Sequence, residues 1–542
     1  MKPIKLITGS SVLLAILWCS LYLAACVAPA AQTGTTTDSG ATTSTRPRLV
    51  MAIPRAPEIL DAQQAYDGDW ATMEQIGQAL VRIDNASGKL LPDLAKTWAF
   101  SEDGKQLTIT LPAGATYANG DPLNAQALKD AWARYKTVSP YAVDFEAITK
   151  MTVVDTTTLE ATFAAPPASL LAVLASSFGG PWDVAAAKKM GDKAFATAPI
   201  ASGPLLVKTF TANSEVLLGR NEHYQTALPF VQNHGPLHLD EVLVRFIPEE
   251  ATLANELEAG TVDVVVGLPA SAVERLRANP GLQITESALP GYVGLVMNLQ
   301  RKPFSDLAVR QAIAKALDRE TIVKVLGAAA APQYAFISPA TIAHSAETDT
   351  YAQKLHPHDV AAAKALLTSA GWTDSNGDGI VEKAGAPFTV KFLVSSTAVD
   401  QQQAAQVIQA QLKAIGIDMQ ISQQEPKAMN DVMVAGEYDM GFDTVGWRDP
   451  DIFSLAFAAD FWNFPKYNNP DAVKKLDVAR YLLDPVARTA AYAELQKIWL
   501  GDVVEIPLWQ RKFYVAARSG VKGLVVDPVI GQIFLNDVTV EK

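Results

Sequence analysis

Residues 240–266 read DEVLVRFIPEEATLANELEAGTVDVVV, and this stretch sets the architecture. Val242, Val244 and Phe246 alternate with their neighbours at the period of a half-buried strand. Leu253 and Leu257 then share one helical face, Gly260 stands where the helix stops, and Val262 to Val266 reads as a buried strand. A second stretch repeats the pattern. Phe388 to Val394 reads as a strand, and Ile408, Leu412 and Ile415 form a helical stripe. Gly416 is the stop, and Ile417, Met419 and Ile421 alternate as a strand. Strand–helix–strand units favour parallel sheets with right-handed crossovers. Two such units, about 150 residues apart, predict two α/β lobes.

Outward from these units, Ser305 and Asp306 can cap a helix whose Val309, Ile313 and Leu317 face inward. Pro357 is expected to open another helix, running through Val360, Leu366 and Leu367 to Gly371. Between residues 85 and 195 short alternating runs, Leu107 to Leu111 and Leu159 to Phe163, predict an inserted α+β subdomain. At the N-terminus, Lys2 and Lys5 precede an apolar stretch from Val12 to Ala25. That stretch is short for a membrane span and suits a secretory signal. It ends in Leu23-Ala24-Ala25-Cys26, which resembles the lipobox of bacterial lipoproteins, with Cys26 as the lipidated residue. The competing reading is an uncleaved anchor. Cys19 lies inside the signal, so no disulfide framework is expected. Val27 to Pro47, rich in Ala, Thr, Ser and Gly, reads as a tether.

The net charge of −12 argues against nucleic acid as a partner, because phosphate-binding surfaces need clustered Lys and Arg. No Gly-rich phosphate loop, His-Glu-x-x-His or Gly-x-Ser-x-Gly occurs. The His234/His238 and His356/His358 pairs have spacings a metal could use, but they read as loop residues, and no metal or cofactor is expected. Asp374-Ser375-Asn376-Gly377-Asp378-Gly379 resembles the start of a calcium loop. Its twelfth position is Gly385, so it reads as an Asx-rich turn. Aromatic residues beside polar ones stand out: Trp447 after Gly446 and before Arg448-Asp449-Pro450-Asp451, then Phe461-Trp462-Asn463-Phe464, then Trp509-Gln510. Such pairs suit ligand clefts, giving contact area plus orientation; core packing is the other use of the same residues.

Several blocks resemble family five of the extracellular solute-binding proteins, the peptide- and nickel-binding subunits of ABC importers. They include Leu91-Pro92-Asp93-Leu94-Ala95 with Trp98 and Ser101-Glu102-Asp103-Gly104, then Asn119-Gly120-Asp121-Pro122, and Arg220-Asn221-Glu222-His223-Tyr224. Val309-Arg310-Gln311-Ala312, and Ala370-Gly371-Trp372 followed by Asn376-Gly377-Asp378-Gly379, continue the match in order.

The resemblance implies an α/β bilobal clamp. Residues 1–25 would be the signal peptide and 26–47 the tether. Lobe one would comprise 48–84, 200–290 and 505–542, with 85–199 as its α+β subdomain, and lobe two 291–504. Gly291-Tyr292 and Glu505-Pro507 would be the hinge crossings. The implied function is capture of a small solute, a peptide first, for delivery to ABC permease subunits. The protein would be an exported, lipid-anchored monomer at the cell membrane with no catalytic role. A nickel chelate, haem, an opine or an oligosaccharide on the same scaffold is the alternative; a surface hydrolase and a chaperone- or adhesin-type lipoprotein are the competing classes. By position, the ligand would meet Tyr66 and Trp70 on lobe one, Trp447, Arg448, Asp449 and Asn463 on lobe two, and Tyr292 and Trp509 near the hinge. Gly446-Trp447-Arg448-Asp449-Pro450 is shorter than the peptide binders' pattern. Either Asp449 holds the peptide ammonium, or it matches only their later Asp-Pro and that holder is missing.

Overall fold

Alternation in residues 241–246 becomes a strand, Glu241–Phe246, with Val242, Val244 and Phe246 buried. Glu249 caps the next helix, Glu250–Ala259, its carboxylate accepting from the Thr252 amide at 2.7 Å. Gly260 ends that helix in the left-handed region, at φ 77°. The returning strand, Val264–Val266, does not pair with the first. Arg48–Ile53 lies between them, parallel to both. In the second unit Thr389–Ser395 pairs directly and in parallel with Asp418–Gln424. Helix Val399–Lys413 makes that crossover with Ile408 and Leu412 wholly buried.

The computed structural model describes residues 48–65, 70–85, 87–459, 462–529 and 531–541. The signal peptide, the tether, Cys26 and Tyr66 lie outside the described residues.

A single 12-stranded sheet runs through both lobes. Its main path is Asp418–Gln424, Thr389–Ser395, Met440–Val445, Tyr292–Met297, Glu505–Arg518, Val264–Val266, Arg48–Ile53, Glu241–Phe246, Glu215–Arg220 and Leu205–Thr211. The long strand Glu505–Arg518 joins the halves. Its first part pairs with Tyr292–Met297, and its last part with Leu282–Ala288 and Val264–Val266. The second crossing, from Leu282–Ala288 into Tyr292–Met297, turns at Gly291. There φ is 90°, and a Cβ would lie 1.8 Å from the Val445 carbonyl oxygen, so only glycine fits.

Separate cores fill the two halves. One is built on Met51, Val244, Trp132 and Trp182, and the other on Leu295, Phe392, Ile408 and Trp509. A satellite around Phe336, Phe453 and Trp499 packs beside the second. The inserted subdomain is a four-stranded antiparallel sheet in the order Thr97–Phe100, Gln106–Thr110, Thr158–Phe163, Ile148–Val153. Helix Ala125–Val138 crosses it, capped by Asn124 and burying Trp132 and Tyr135 in the first core. Asp306 caps Leu307–Ala316 as expected. Pro357 does not open the following helix. Asp359 does, because its carboxylate can accept from the Ala362 amide (2.9 Å), and the helix is Val360–Ser369. Among the described residues no helix is long and apolar enough to cross a membrane.

Candidate binding site

Where the long strand passes between the halves, a cavity of about 410 Å³ opens, within the range of small-molecule sites. The segment after Arg48–Ile53 supplies Pro54, Arg55 and Pro57, and helix Trp70–Ile76 supplies Ala71 and Glu74. From the other half come Thr444 to Arg448, the end of the strand Met440–Val445 and the loop after it. Leu289 to Val293, Arg511 and Phe513 close the hinge side. Three strands end here, Arg48–Ile53, Val264–Val266 and Met440–Val445, each lining the cavity with its last residue, and carboxyl ends of strands are where open α/β sheets bind ligands.

The charges are unequal. Arg55, Arg448 and Arg511 reach the cavity against one carboxylate among the described lining residues, Glu74. Both Glu74 oxygens are committed: one accepts from the Ser177 amide at 2.7 Å, the other from Arg82 and Gln532, each at 2.9 Å. Arg511 forks onto Asp400 at 2.8 and 3.2 Å. Arg448 reaches across the cleft, donating to the Ile83 carbonyl (3.3 Å) and to the Asn85 side chain, with Asp527 4.0 Å away. Burial lowers the pKa of its guanidinium, against the pull of Asp527. Trp447 and Phe513, both half-buried, pack against the first core, so lobe two touches lobe one through Trp447 as well.

Tyr292 lines the hinge and donates to Glu505 at 2.7 Å. Gly294 permits this, because a Cβ there would sit 2.7 Å from the Tyr292 ring. Burial, then the neighbouring Asp443 carboxylate, pushes Glu505 well above the usual carboxylate range, and burial pushes Asp443 up to about 6. Folding therefore keeps a proton that the unfolded chain releases above the ordinary Glu value, so this group's contribution falls as pH rises from there. Glu505→Gln, which cannot titrate, should raise the melting temperature relative to wild type at pH 8, and the gain should shrink at pH 5. An equal effect at both values would show that Glu505 is ionised in the fold.

Of the residues to which the sequence points, Tyr292, Trp447 and Arg448 meet at the cavity. Trp70 opens the helix that brings Ala71 and Glu74 there; its own side chain and Tyr66 lie outside what is described. Three do not line it. Asp449 is wholly buried and bound through both oxygens to Arg488, at 2.6 and 2.8 Å. It stands behind the loop because its partner sits on helix Pro485–Asp502. Asn463 folds its amide onto the Tyr467 backbone, accepting from the N–H and donating to the carbonyl, both at 2.8 Å. Trp509 is wholly buried in the second core against Phe442, its indole N–H 3.3 Å from Asp400. Glu74, Arg55, Arg511 and Phe513 line the cavity without belonging to any stretch that the sequence marks as a cleft. For Arg55 the available signal is its place just past the end of a strand; for Arg511, alternation with Trp509 along the hinge strand.

The chain is 25% identical over 511 residues to the probable D,D-dipeptide-binding periplasmic protein DdpA of Escherichia coli K12, covering 90% of this chain and 93% of that one. Its fold is similar to that of NikA from Brucella suis, solved with Fe(III)-EDTA: TM-score 0.80, 21% identity, 91% of this chain and 100% of that one. AgaA from A. tumefaciens R10, solved with agropinic acid, matches at TM-score 0.70 and 24% identity over 92% of this chain and 99% of that one. The description of the bacterial extracellular solute-binding proteins, family 5 (Middle), matches residues 89–464. With that match spanning most of the chain and the cleft lying at the hinge, the protein belongs to the family 5 bacterial extracellular solute-binding proteins.

Proposed function

We propose that the chain captures a small carboxylate-bearing solute, a short peptide first among them, between its lobes and presents the closed form to the permease of an ABC importer. The observation that carries this reading is Arg448: at the cavity its guanidinium donates to the Ile83 carbonyl and the Asn85 side chain, with the Asp527 carboxylate 4.0 Å away, whereas Arg511 is already forked onto Asp400 and both oxygens of Glu74 are taken. A guanidinium fork matches a carboxylate bidentately, while Trp447, Phe513 and Val445 offer apolar contact to the rest of the solute. Solute touching both walls favours closure, because each wall gains its contacts only when the lobes meet. No bond is made or broken, so the protein acts as a binding subunit and not as an enzyme. Cys26 carries the lipid that holds a monomer at the membrane, and mass spectrometry of the mature N-terminus reads that directly.

A second reading is a non-peptide acid, such as an opine or a metal chelate. It is favoured because Asp449 is consumed by Arg488, which leaves no unsatisfied carboxylate among the described lining residues for an ammonium. AgaA and NikA, solved with agropinic acid and Fe(III)-EDTA, show that this fold accommodates such ligands. Calorimetric titration with short peptides, their C-terminal amides, their N-acetyl forms and metal chelates tests both. Amidation is expected to weaken peptide binding by about 30-fold or more, the cost of removing a buried charge partner. Equal binding of acid and amide would overturn the carboxylate reading. Indifference to N-acetylation would favour the second reading over the first.

A further inference from the structure

The loop that follows helix Val360–Ser369 reads as a turn by sequence because its twelfth position carries no acid. The chain folds back sooner than a twelve-residue loop would. Thr373 and Glu382 pair through both backbone bonds, at 3.0 and 2.9 Å, which brings Glu382, the ninth residue counted from Asp374, onto the loop. One carboxylate oxygen from each of Asp374, Asp378 and Glu382 then lies within 4.8 Å of the other two. Asp374 and Asp378 are exposed, but Glu382 is only 8% exposed. Its Oε2 accepts from the Ser375 amide at 2.8 Å and hydroxyl at 3.0 Å. Its Oε1 is buried with no hydrogen-bond partner among the described residues. A buried carboxylate oxygen without a partner is costly, and two further carboxylates beside it add repulsion that a cation would reverse.

We propose that Asp374, Asp378 and Glu382 hold a calcium ion. Calcium takes oxygen ligands at about 2.3–2.6 Å, so two ligands of one ion lie no more than about 5 Å apart. The three carboxylates meet that limit. The donors are all hard oxygens, without nitrogen or sulfur, which selects calcium over softer metals. Asn376 and the Ile380 carbonyl stand at the third and seventh positions, the places from which calcium loops draw further donors. Lys383, next along the chain, is turned away to the Ala370 carbonyl at 2.7 Å. The loop is rooted in the second core by Trp372 on Phe388, ring centroids 4.4 Å apart, so the ion would brace this corner of the lobe and leave the cleft untouched.

The test uses the full mature chain stripped with a chelator and titrated with calcium chloride, then magnesium chloride, by calorimetry. Terbium luminescence sensitised through Trp372 gives a second signal. One equivalent of calcium should bind and raise the melting temperature. Glu382→Gln and Asp374→Asn should each weaken uptake at least tenfold, and calcium should displace terbium from wild type. No calcium-dependent heat or melting shift in wild type would overturn the proposal. So would wild-type uptake by both variants, or a preference for magnesium. The wild-type titration decides the matter even if a variant fails to fold.

Discussion

Asp449→Ala should cost about 3–5 kcal/mol of stability, the penalty for breaking a buried ion pair from one side. It should leave solute affinity within about threefold, a change under 1 kcal/mol. Asp449 is wholly buried, and the Arg488 side chain is only 5% exposed. Two bonds at 2.6 and 2.8 Å join them, and Asp449 also accepts from the Asp451 amide at 2.9 Å. Burial works against the Arg488 charge, but Asp449 more than offsets it and raises the guanidinium above its ordinary value. Removing the carboxylate strands that cation beside the Tyr492 ring, 5.5 Å away. Urea unfolding and a binding titration on the same preparation separate the alternatives. Unchanged stability with a large loss of affinity would mean that Asp449 faces solute after all.

The largest effect on binding is expected at Arg448. If its guanidinium grips a solute carboxylate, Arg448→Ala should lose about 2–5 kcal/mol, or about 30-fold to several thousand-fold in affinity. The same change removes the bonds to Ile83 and Asn85 that tie lobe two to lobe one. The closed form should therefore be less populated, and small-angle scattering at saturating solute should give a larger radius of gyration than wild type. Arg448→Lys should restore only part of the affinity, because an ammonium carries the charge without the planar fork. If Arg448→Ala binds a carboxylate-bearing solute as tightly as wild type, the residue serves lobe contact alone and the ligand carboxylate lies elsewhere, with Arg55 and Arg511 the next candidates.

Much of the architecture is legible in the sequence alone. Alternation at Val242, Val244 and Phe246, the stripe at Ile408 and Leu412, and stops at Gly260 and Gly416 depend on neighbours no more than four residues away, and such signals survive in a linear reading. Trp447, Arg448 and Tyr292 are also legible as cleft candidates, because their blocks resemble a family whose clefts lie at that position. Other features depend on distant partners. Arg48–Ile53 enters between two strands that are joined in sequence, and Glu505–Arg518 is shared by both halves; no local period encodes either. The sequence leaves Asp449 either as an ammonium holder or as a match to a later Asp-Pro alone, and only the fold shows that Arg488, 39 residues away, takes both its oxygens. Glu382 is invisible as a ligand in the sequence because a twelve-residue template looks past it to Gly385, and only the pairing with Thr373 brings it to Asp374 and Asp378. Periods and caps are local chemistry and can be read along the chain. What a carboxylate or guanidinium does depends on which opposite charge the fold sets against it, and that follows from packing between segments far apart in sequence.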